Sequence, residues 1–267
     1  MYIERVTYKD LYQIKKLQPE GWSDISSEFV RYINCDFCEP IKVCIENDIV
    51  GVGCSIMFKD SAWIAHIIVD SNYRNRGIGF QIVDFLVKSI NEKKISSISL
   101  IATSLGEPVY KKAGFRFVSD YIYLNRRFDW RNNQISKNII LYSSNFYNQL
   151  IELDGEITGE SREYLLQKHL DNCLMYIDNE TVKGYYLPFL GEGAIYAQEE
   201  SVGLELMKIK YSTVDKAVIP SENEIGVEYL KQNGFIKSDT QVKRMILGKD
   251  INWKPNCIFS RIGGNYG

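Results

Sequence analysis

Arg74-Asn75-Arg76-Gly77-Ile78-Gly79 follows closely on the apolar run Trp63 to Val69. The order predicts a strand that ends, a short loop rich in glycine and arginine, and then a helix. Backbone N–H groups at a helix N-terminus lack intrahelical partners, and the helix dipole favours an anion there. Glycine removes the Cβ that would hold a phosphate away from the backbone. Arg74 and Arg76 add forked donors suited to phosphate oxygens. The loop therefore has the makings of a pyrophosphate cradle, although RxxGxG alone also describes an ordinary strand-to-helix turn. It is not the dinucleotide fingerprint, because no third glycine follows at the required spacing. It is not a Walker loop, because no Gly-Lys-Ser/Thr follows.

The elements around the loop supply its context. Ile78, Ile82, Phe85, Leu86 and Ile90 recur at helical spacing and predict a helix to about Lys93. Ile95 to Ala102 predicts a strand. Gly106 to Phe115 predicts a short helix, with Pro108 in its first turn and Gly114 at its C-terminal end. Phe115 to Leu124 predicts another strand. Upstream, Tyr2 to Thr7 reads as a strand, and Lys9 to Leu17 and Ile25 to Ile33 as helices. Ile41 to Glu46 and Val50 to Phe58 read as strands around the turn Asn47-Asp48. The string implies an α/β fold, a mixed central sheet flanked by helices. Ligands of such sheets bind at the carboxyl ends of strands that diverge.

Strand, RxxGxG, helix, strand, then a short helix carrying Tyr110-x-x-x-Gly114-Phe115 resembles the GNAT superfamily of acyl-CoA-dependent N-acetyltransferases. The two motifs in this order are far more specific than either alone, and the resemblance covers roughly residues 1 to 125. It implies acetyl-CoA as co-substrate, with Arg74, Asn75, Arg76, Gly77, Ile78 and Gly79 on its pyrophosphate. It also implies backbone groups of Ile67, Ile68 and Val69 along the pantetheine arm, where they help polarise the thioester carbonyl. Tyr110 takes the place of the family's general acid; the competing reading is a packing tyrosine, one of 18 in the chain. His66 lies on the strand expected to face the acceptor and has a useful ordinary pKa. A base and a strand histidine bonded to backbone are equally good readings of it. Glu28, Asp36 and Glu107 are weaker candidates for a base, and some family members use a water chain instead. Ser104 stands where the family often has an asparagine on the cofactor, a departure that leaves this contact to Thr103, Ser104 or neither.

From Ile139 the element order begins again. Ser161 to Leu170 reads as a helix, and Cys173 to Ile177 and Val182 to Leu187 as strands around Asp178-Asn179. Gly193 to Gln198 is a further strand, Gly203 to Lys210 a helix and Lys216 to Ile219 a strand. Glu224 to Phe235 then echoes the tyrosine helix. Gln198-Glu199-Glu200-Ser201-Val202-Gly203 replaces the basic loop with two carboxylates, which repel a pyrophosphate. Aligned on Gly-Phe, Leu230 rather than Tyr229 holds the tyrosine position. This half resembles the smaller, degenerate second domain of a subgroup of bacterial GNAT proteins that also end in a Gly-rich tail, here Ile258 to Gly267. The expected domains are 1–126 and 139–267. Trp22, Trp63, Tyr185, Tyr186 and the tail are candidate liners of the acceptor pocket.

The remaining chemistry is bland. Net charge is -2 over 267 residues, with 45% hydrophobic and 25% charged. No general pull towards nucleic acid or anionic membrane follows. No apolar run approaches the roughly 20 residues of a membrane span, and the first residues carry no signal core, so the cytoplasm is the expected location. Arg126 to Lys137 reads as a polar linker, with Arg126, Arg127 and Arg131 solvated rather than gathered on nucleic acid. Cys35-x-x-Cys38 has no second CxxC or paired histidine nearby, since His66 and His169 are the only two. No metal is expected, and the six cysteines read as reduced thiols. The acceptor is expected to be a primary amine on a small molecule or peptide; its identity, the base and the oligomeric state, a homodimer included, stay open.

Overall fold

The structure is a computed structural model describing residues 1–22, 24–127 and 135–267. Arg131 and the middle of the polar linker lie outside the described residues. The first run of elements is β1 (Tyr2–Arg5), α1 (Leu11–Lys16), α2 (Ile25–Ile33), β2 (Cys38–Ile45), β3 (Asp48–Met57), β4 (Ser61–Val69), α3 (Ile78–Glu92), β5 (Ser97–Thr103), α4 (Glu107–Lys112) and β6 (Arg116–Arg126). The second is β7 (Ile139–Leu141), α5 (Tyr147–Thr158), α6 (Glu163–Leu166), β8 (Leu174–Asp178), β9 (Thr181–Leu187), β10 (Ala194–Ala197), α7 (Glu200–Lys210), β11 (Lys216–Pro220), α8 (Glu224–Gln232) and β12 (Phe235–Gly248). The two runs have the same order, strand, two helices, three strands, then helix, strand, helix, strand. A last strand, β13 (Ile258–Ser260), has no counterpart in the first run.

The compact units do not follow chain order. One gathers Met1–Arg116 with Met245–Lys249 and Gly264–Tyr266; the other gathers Phe117–Arg244, Asp250–Gly263 and Gly267. β12 is thus shared, its first ten residues in one unit and its last four in the other.

In the first unit the strands run β1-β2-β3-β4-β5, with the end of β12 beside β5. Lys249 N–H donates to Ser96 O at 2.8 Å and Ser97 Oγ to Lys249 O at 2.9 Å, which fixes that last strand. β1 to β4 pair antiparallel, and β4 pairs parallel with β5. α3 lies across β3 and β4 and buries Ile78, Ile82, Val83, Leu86 and Ile90. The sequence stripe placed Phe85 on that face; it is 41% exposed, and Val83 is buried in its stead. Close helix–sheet approach depends on Gly53, where a Cβ would stand 2.6 Å from Ile82 and 2.8 Å from Ile67.

In the second unit one sheet runs β7-β8-β9-β10-β13, and β6 stands between β12 and β11. The β8–β9 hairpin turns through Asn179 and Glu180, both at positive φ. Two helices here differ from the sequence reading. α5 buries Leu150, Leu153, Asp154 and Ile157, a helical spacing legible in retrospect. The helix expected over Ser161 to Leu170 is only the short α6 followed by 3₁₀ turns.

Candidate active site

β4 and β5 pair only from Ser61 to Trp63 against Ser97 to Ser99. Beyond that point they part, and Ile64 to Val69 have no β5 partner. The cleft so formed opens at the carboxyl ends of two parallel strands. On its other edge β4 carries an irregularity: Cys54 pairs with Ala65 but Val52 with Ile68, so one extra residue is accommodated between. His66 takes it up at φ 51°, a left-handed conformation that costs a β-carbon residue energy and turns backbone groups out of the ladder. Ile67 and Val69 are partly buried and Ile68 is buried.

The basic loop closes one end of this cleft. Asp70 caps a single 3₁₀ turn, Ser71 to Tyr73, by accepting from Asn72 N–H at 2.8 Å. Arg74 is extended, Asn75 has φ 61° and Gly77 has φ 81°, so the chain enters the left-handed region twice within three residues. Such alternation turns successive N–H groups to one side, a concave site for anions. Gly77 is the N-cap of α3 and supplies no side-chain cap, leaving the helix's first N–H groups to a ligand. A Cβ on Gly79 would meet Val69 at 3.8 Å and Val109 at 4.0 Å, ordinary contacts, so the position is not overcrowded. Arg74 Nε donates to Val69 O at 3.1 Å, and the Arg76 guanidinium stands 5.1 Å from the Tyr73 ring; both side chains are exposed.

Tyr110 projects from α4, and its ring crowds Gly106 so closely that a Cβ there would stand 2.8 Å from it. The ring packs edge-on to Phe115 at 6.1 Å. Burial pushes the phenol well above its ordinary pKa, so it keeps its proton at neutral pH. Its hydroxyl has no hydrogen-bond partner among the described residues. Thr103 Oγ1 accepts from Gly106 N–H at 3.3 Å, which leaves Ser104 the free and exposed hydroxyl beyond β5.

At the bulge of β4, His66 Nδ1 lies 2.8 Å from the Tyr32 hydroxyl of α2. Trp22, Phe29 and Tyr32 surround the imidazole edge-on at 5.9, 6.1 and 5.5 Å. Burial, and secondarily the charge of Arg31, pull its pKa from 6.5 to about 4. The ring is therefore neutral at physiological pH. Of the weaker base candidates, Glu28 pairs with Arg31, Glu107 pairs with Lys111 at 2.8 Å, and Asp36 is exposed. Trp63 is fully buried and belongs to the core. Trp22 is 44% exposed and its ring stands beside His66.

The second unit has the same cleft position between β10 and β11, but its own chain fills it. β13 pairs antiparallel with β10, Ile195 opposite Ser260 and Tyr196 opposite Ile258. On the β11 side Arg261 N–H donates to Val218 O at 3.3 Å, and Asn223 Nδ2 donates to Ile258 O at 2.9 Å. Gly203, the counterpart of Gly79, lies under the Phe259 ring at a distance where a Cβ would stand 2.2 Å from it. Lys210 Nζ donates to Glu192 O at 2.6 Å, to Gly193 O at 2.8 Å and to Ser260 Oγ. Arg261 holds Glu192 through both carboxylate oxygens, at 3.1 and 2.7 Å. Burial alone would raise the Glu192 carboxyl, but the guanidinium beside it overrides this and holds it low. β10 meets β9 in regular register, so the irregularity seen at His66 is missing. Leu230, at the tyrosine position, is fully buried. Tyr185 and Tyr186 are buried in this unit; Tyr185 donates to Asp154, itself paired with Arg162 at 2.5 Å.

Residues 26–126 match the family model of the acetyltransferase (GNAT) domain. That stretch of the chain belongs to the GNAT family. The mixed sheet flanked by helices is the fold of solved members, and a second sheet-containing domain accompanies it. A candidate acetyltransferase from Pyrococcus horikoshii is similar over 100% of this chain and 95% of its own, with TM-score 0.83 and 21% identity. A GCN5-related N-acetyltransferase from Sphaerobacter thermophilus is similar over 95% of this chain and 98% of its own, with TM-score 0.68 and 12% identity. At those identities the likeness speaks for the fold. No curated protein sequence matches the chain significantly. Among the described residues no cluster of metal-ligating side chains occurs, and no helix is long and apolar enough to cross a membrane.

Proposed function

We propose that the first unit is an acetyl-CoA-dependent N-acetyltransferase, acting on a primary amine of a small molecule or peptide by direct attack. The observation that carries the reading is the open cleft between β4 and β5. It has an uncapped helix N-terminus and two exposed arginines at one end, and Tyr110, a buried and protonated phenol, follows on α4 just after β5. A nucleotide pyrophosphate suits the loop Arg74 to Gly79, and a slender pantetheine arm suits the gap above Gly79. Bound acetyl-CoA supplies the thioester carbon to be attacked.

The chain's own groups then have separate tasks. Backbone groups of Ile67, Ile68 and Val69, on the stretch of β4 that β5 does not pair, bind along the arm and draw electron density from the carbonyl. Tyr110 donates a hydrogen bond to the departing sulfur. A phenol held above its ordinary pKa gives up its proton reluctantly, so it helps most as a donor to developing thiolate charge. Ser104 and Asn75 stand at the rim as further cofactor contacts. His66 faces the acceptor. With Nδ1 engaged by Tyr32 and a depressed pKa, it is better placed to orient the acceptor than to take its proton. Holding both substrates in one cleft supplies much of the acceleration. The cytoplasm is the compartment we assign to this chemistry.

The second unit, as a degenerate copy, binds no cofactor in this reading, because β13 and Phe259 occupy the equivalent cleft. The test is turnover of acetyl-CoA by the full chain against a panel of primary amines. Thiol release that depends on an added amine supports the reading. Binding of acetyl-CoA without turnover on any amine would instead favour a non-catalytic acyl-CoA sensor.

A further inference from the structure

Tyr32 is 1% exposed, and its hydroxyl has two neighbours. One is His66 Nδ1 at 2.8 Å; the other is Asn265 Nδ2, from the C-terminal tail, at 3.2 Å. A phenol oxygen carries one proton and accepts at its lone pairs. The Asn265 amide can only donate through Nδ2, so it fills an acceptor position on the Tyr32 oxygen. The one proton of Tyr32 is then satisfied by pointing at His66, and a buried hydroxyl left otherwise would cost about 1–3 kcal/mol. An imidazole that accepts at Nδ1 carries its proton at Nε2. His66 Nε2 has no hydrogen-bond partner among the described residues. The tail segment Gly264–Tyr266 belongs to the first unit, so the three side chains share one compact body.

We infer that Asn265 is a positioning residue for the acceptor: through Tyr32 it fixes the tautomer of His66, so that the site offers the acceptor an Nε2–H donor. The inference rests on the acetyltransferase reading and names a property of its acceptor. The amine must carry an oxygen that accepts this donor, set close to the exposed indole of Trp22 beside His66. An acceptor lacking that oxygen leaves the Nε2–H unpaired and is selected against. The tail thereby becomes part of the specificity apparatus although 233 residues separate Asn265 from Tyr32.

Asn265→Asp keeps the shape and reverses the chemistry, because a carboxylate accepts the Tyr32 proton and draws it off His66. Nitrogen-15 spectra of the full chain read the tautomer directly, and His169→Gln leaves His66 as the sole histidine. The expected result is an Nε2–H imidazole at pH 7 in the parent and loss of that signature in Asn265→Asp. With turnover, kcat falls about tenfold in Asn265→Asp while KM for acetyl-CoA is unchanged, and Asn265→Gln recovers part of the loss. An Nδ1–H imidazole in the parent, or an unchanged tautomer and kcat in Asn265→Asp with the fold intact, overturns the inference. The tautomer is read without turnover, so a parent chain that acetylates no amine would overturn the acetyltransferase reading, while the imidazole signals still decide the arrangement.

Discussion

The ring of Phe259 lies so close over Gly203 that a Cβ on the glycine would stand 2.2 Å from it. At the matching place in the first unit, a Cβ on Gly79 would make only ordinary contacts, with Val69 at 3.8 Å and Val109 at 4.0 Å. One glycine therefore serves two ends in two copies of the element order. In one it leaves the cleft proposed for the cofactor uncrowded; in the other it admits the chain's own β13.

Gly203→Ala is expected to lower stability by about 1–3 kcal/mol through overpacking. Phe259→Ala should cost about 3–5 kcal/mol by leaving a cavity. Chemical denaturation measures both. Acetyl-CoA binding by the folded variants is expected to stay at the parent level, since neither residue belongs to the first unit.

The open cleft was legible in the sequence and the filled one was not. RxxGxG, the α3 stripe and Tyr110 act within short windows, where spacing alone fixes which side chains share a face. The Glu199-Glu200 pair already argued against a second pyrophosphate site. What blocks that site, however, is a three-residue strand, too short for an alternating pattern. β12 also escaped notice, because residues 236 to 241 are mostly exposed and polar and dilute its period of two. Tyr32 and Asn265 carry no local signal, since their meeting joins residues 233 apart in the chain. His66 could be singled out, but its partners could not.

Arg76→Glu replaces a cation with an anion beside the expected pyrophosphate. The KM for acetyl-CoA should rise tenfold or more, about 1.4 kcal/mol or above, with kcat at saturation little changed. Gly77→Asp adds a strained conformation at φ 81° and should do at least as much. Steady-state kinetics with acetyl-CoA varied separates these effects, and unchanged KM in both would remove the loop from the cofactor site.

Tyr110→Phe keeps the ring and its packing on Phe115 but removes the donor. A fall in kcat of about 10²-fold, with KM for acetyl-CoA unchanged, is expected. A parent-level rate across the pH range would leave Tyr110 a packing residue.

His66 should make stability fall in acid. Its pKa is 6.5 unfolded and about 4 folded, so between those values the unfolded chain binds a proton that the folded chain refuses. Folding is thus unaffected above pH 6.5 and loses up to about 3 kcal/mol as the pH drops towards 4. Denaturant midpoints from pH 7 to 4, compared between the parent and His66→Gln, read the difference. Parallel curves would contradict the burial of a neutral imidazole.

Calorimetric titration of the full chain with acetyl-CoA addresses the central claim, that one cleft of two accepts the cofactor. The account predicts one molecule bound per chain, and none detectable at the same concentrations in Gly77→Asp. Two molecules per chain, or one that Gly77→Asp leaves in place, would contradict it.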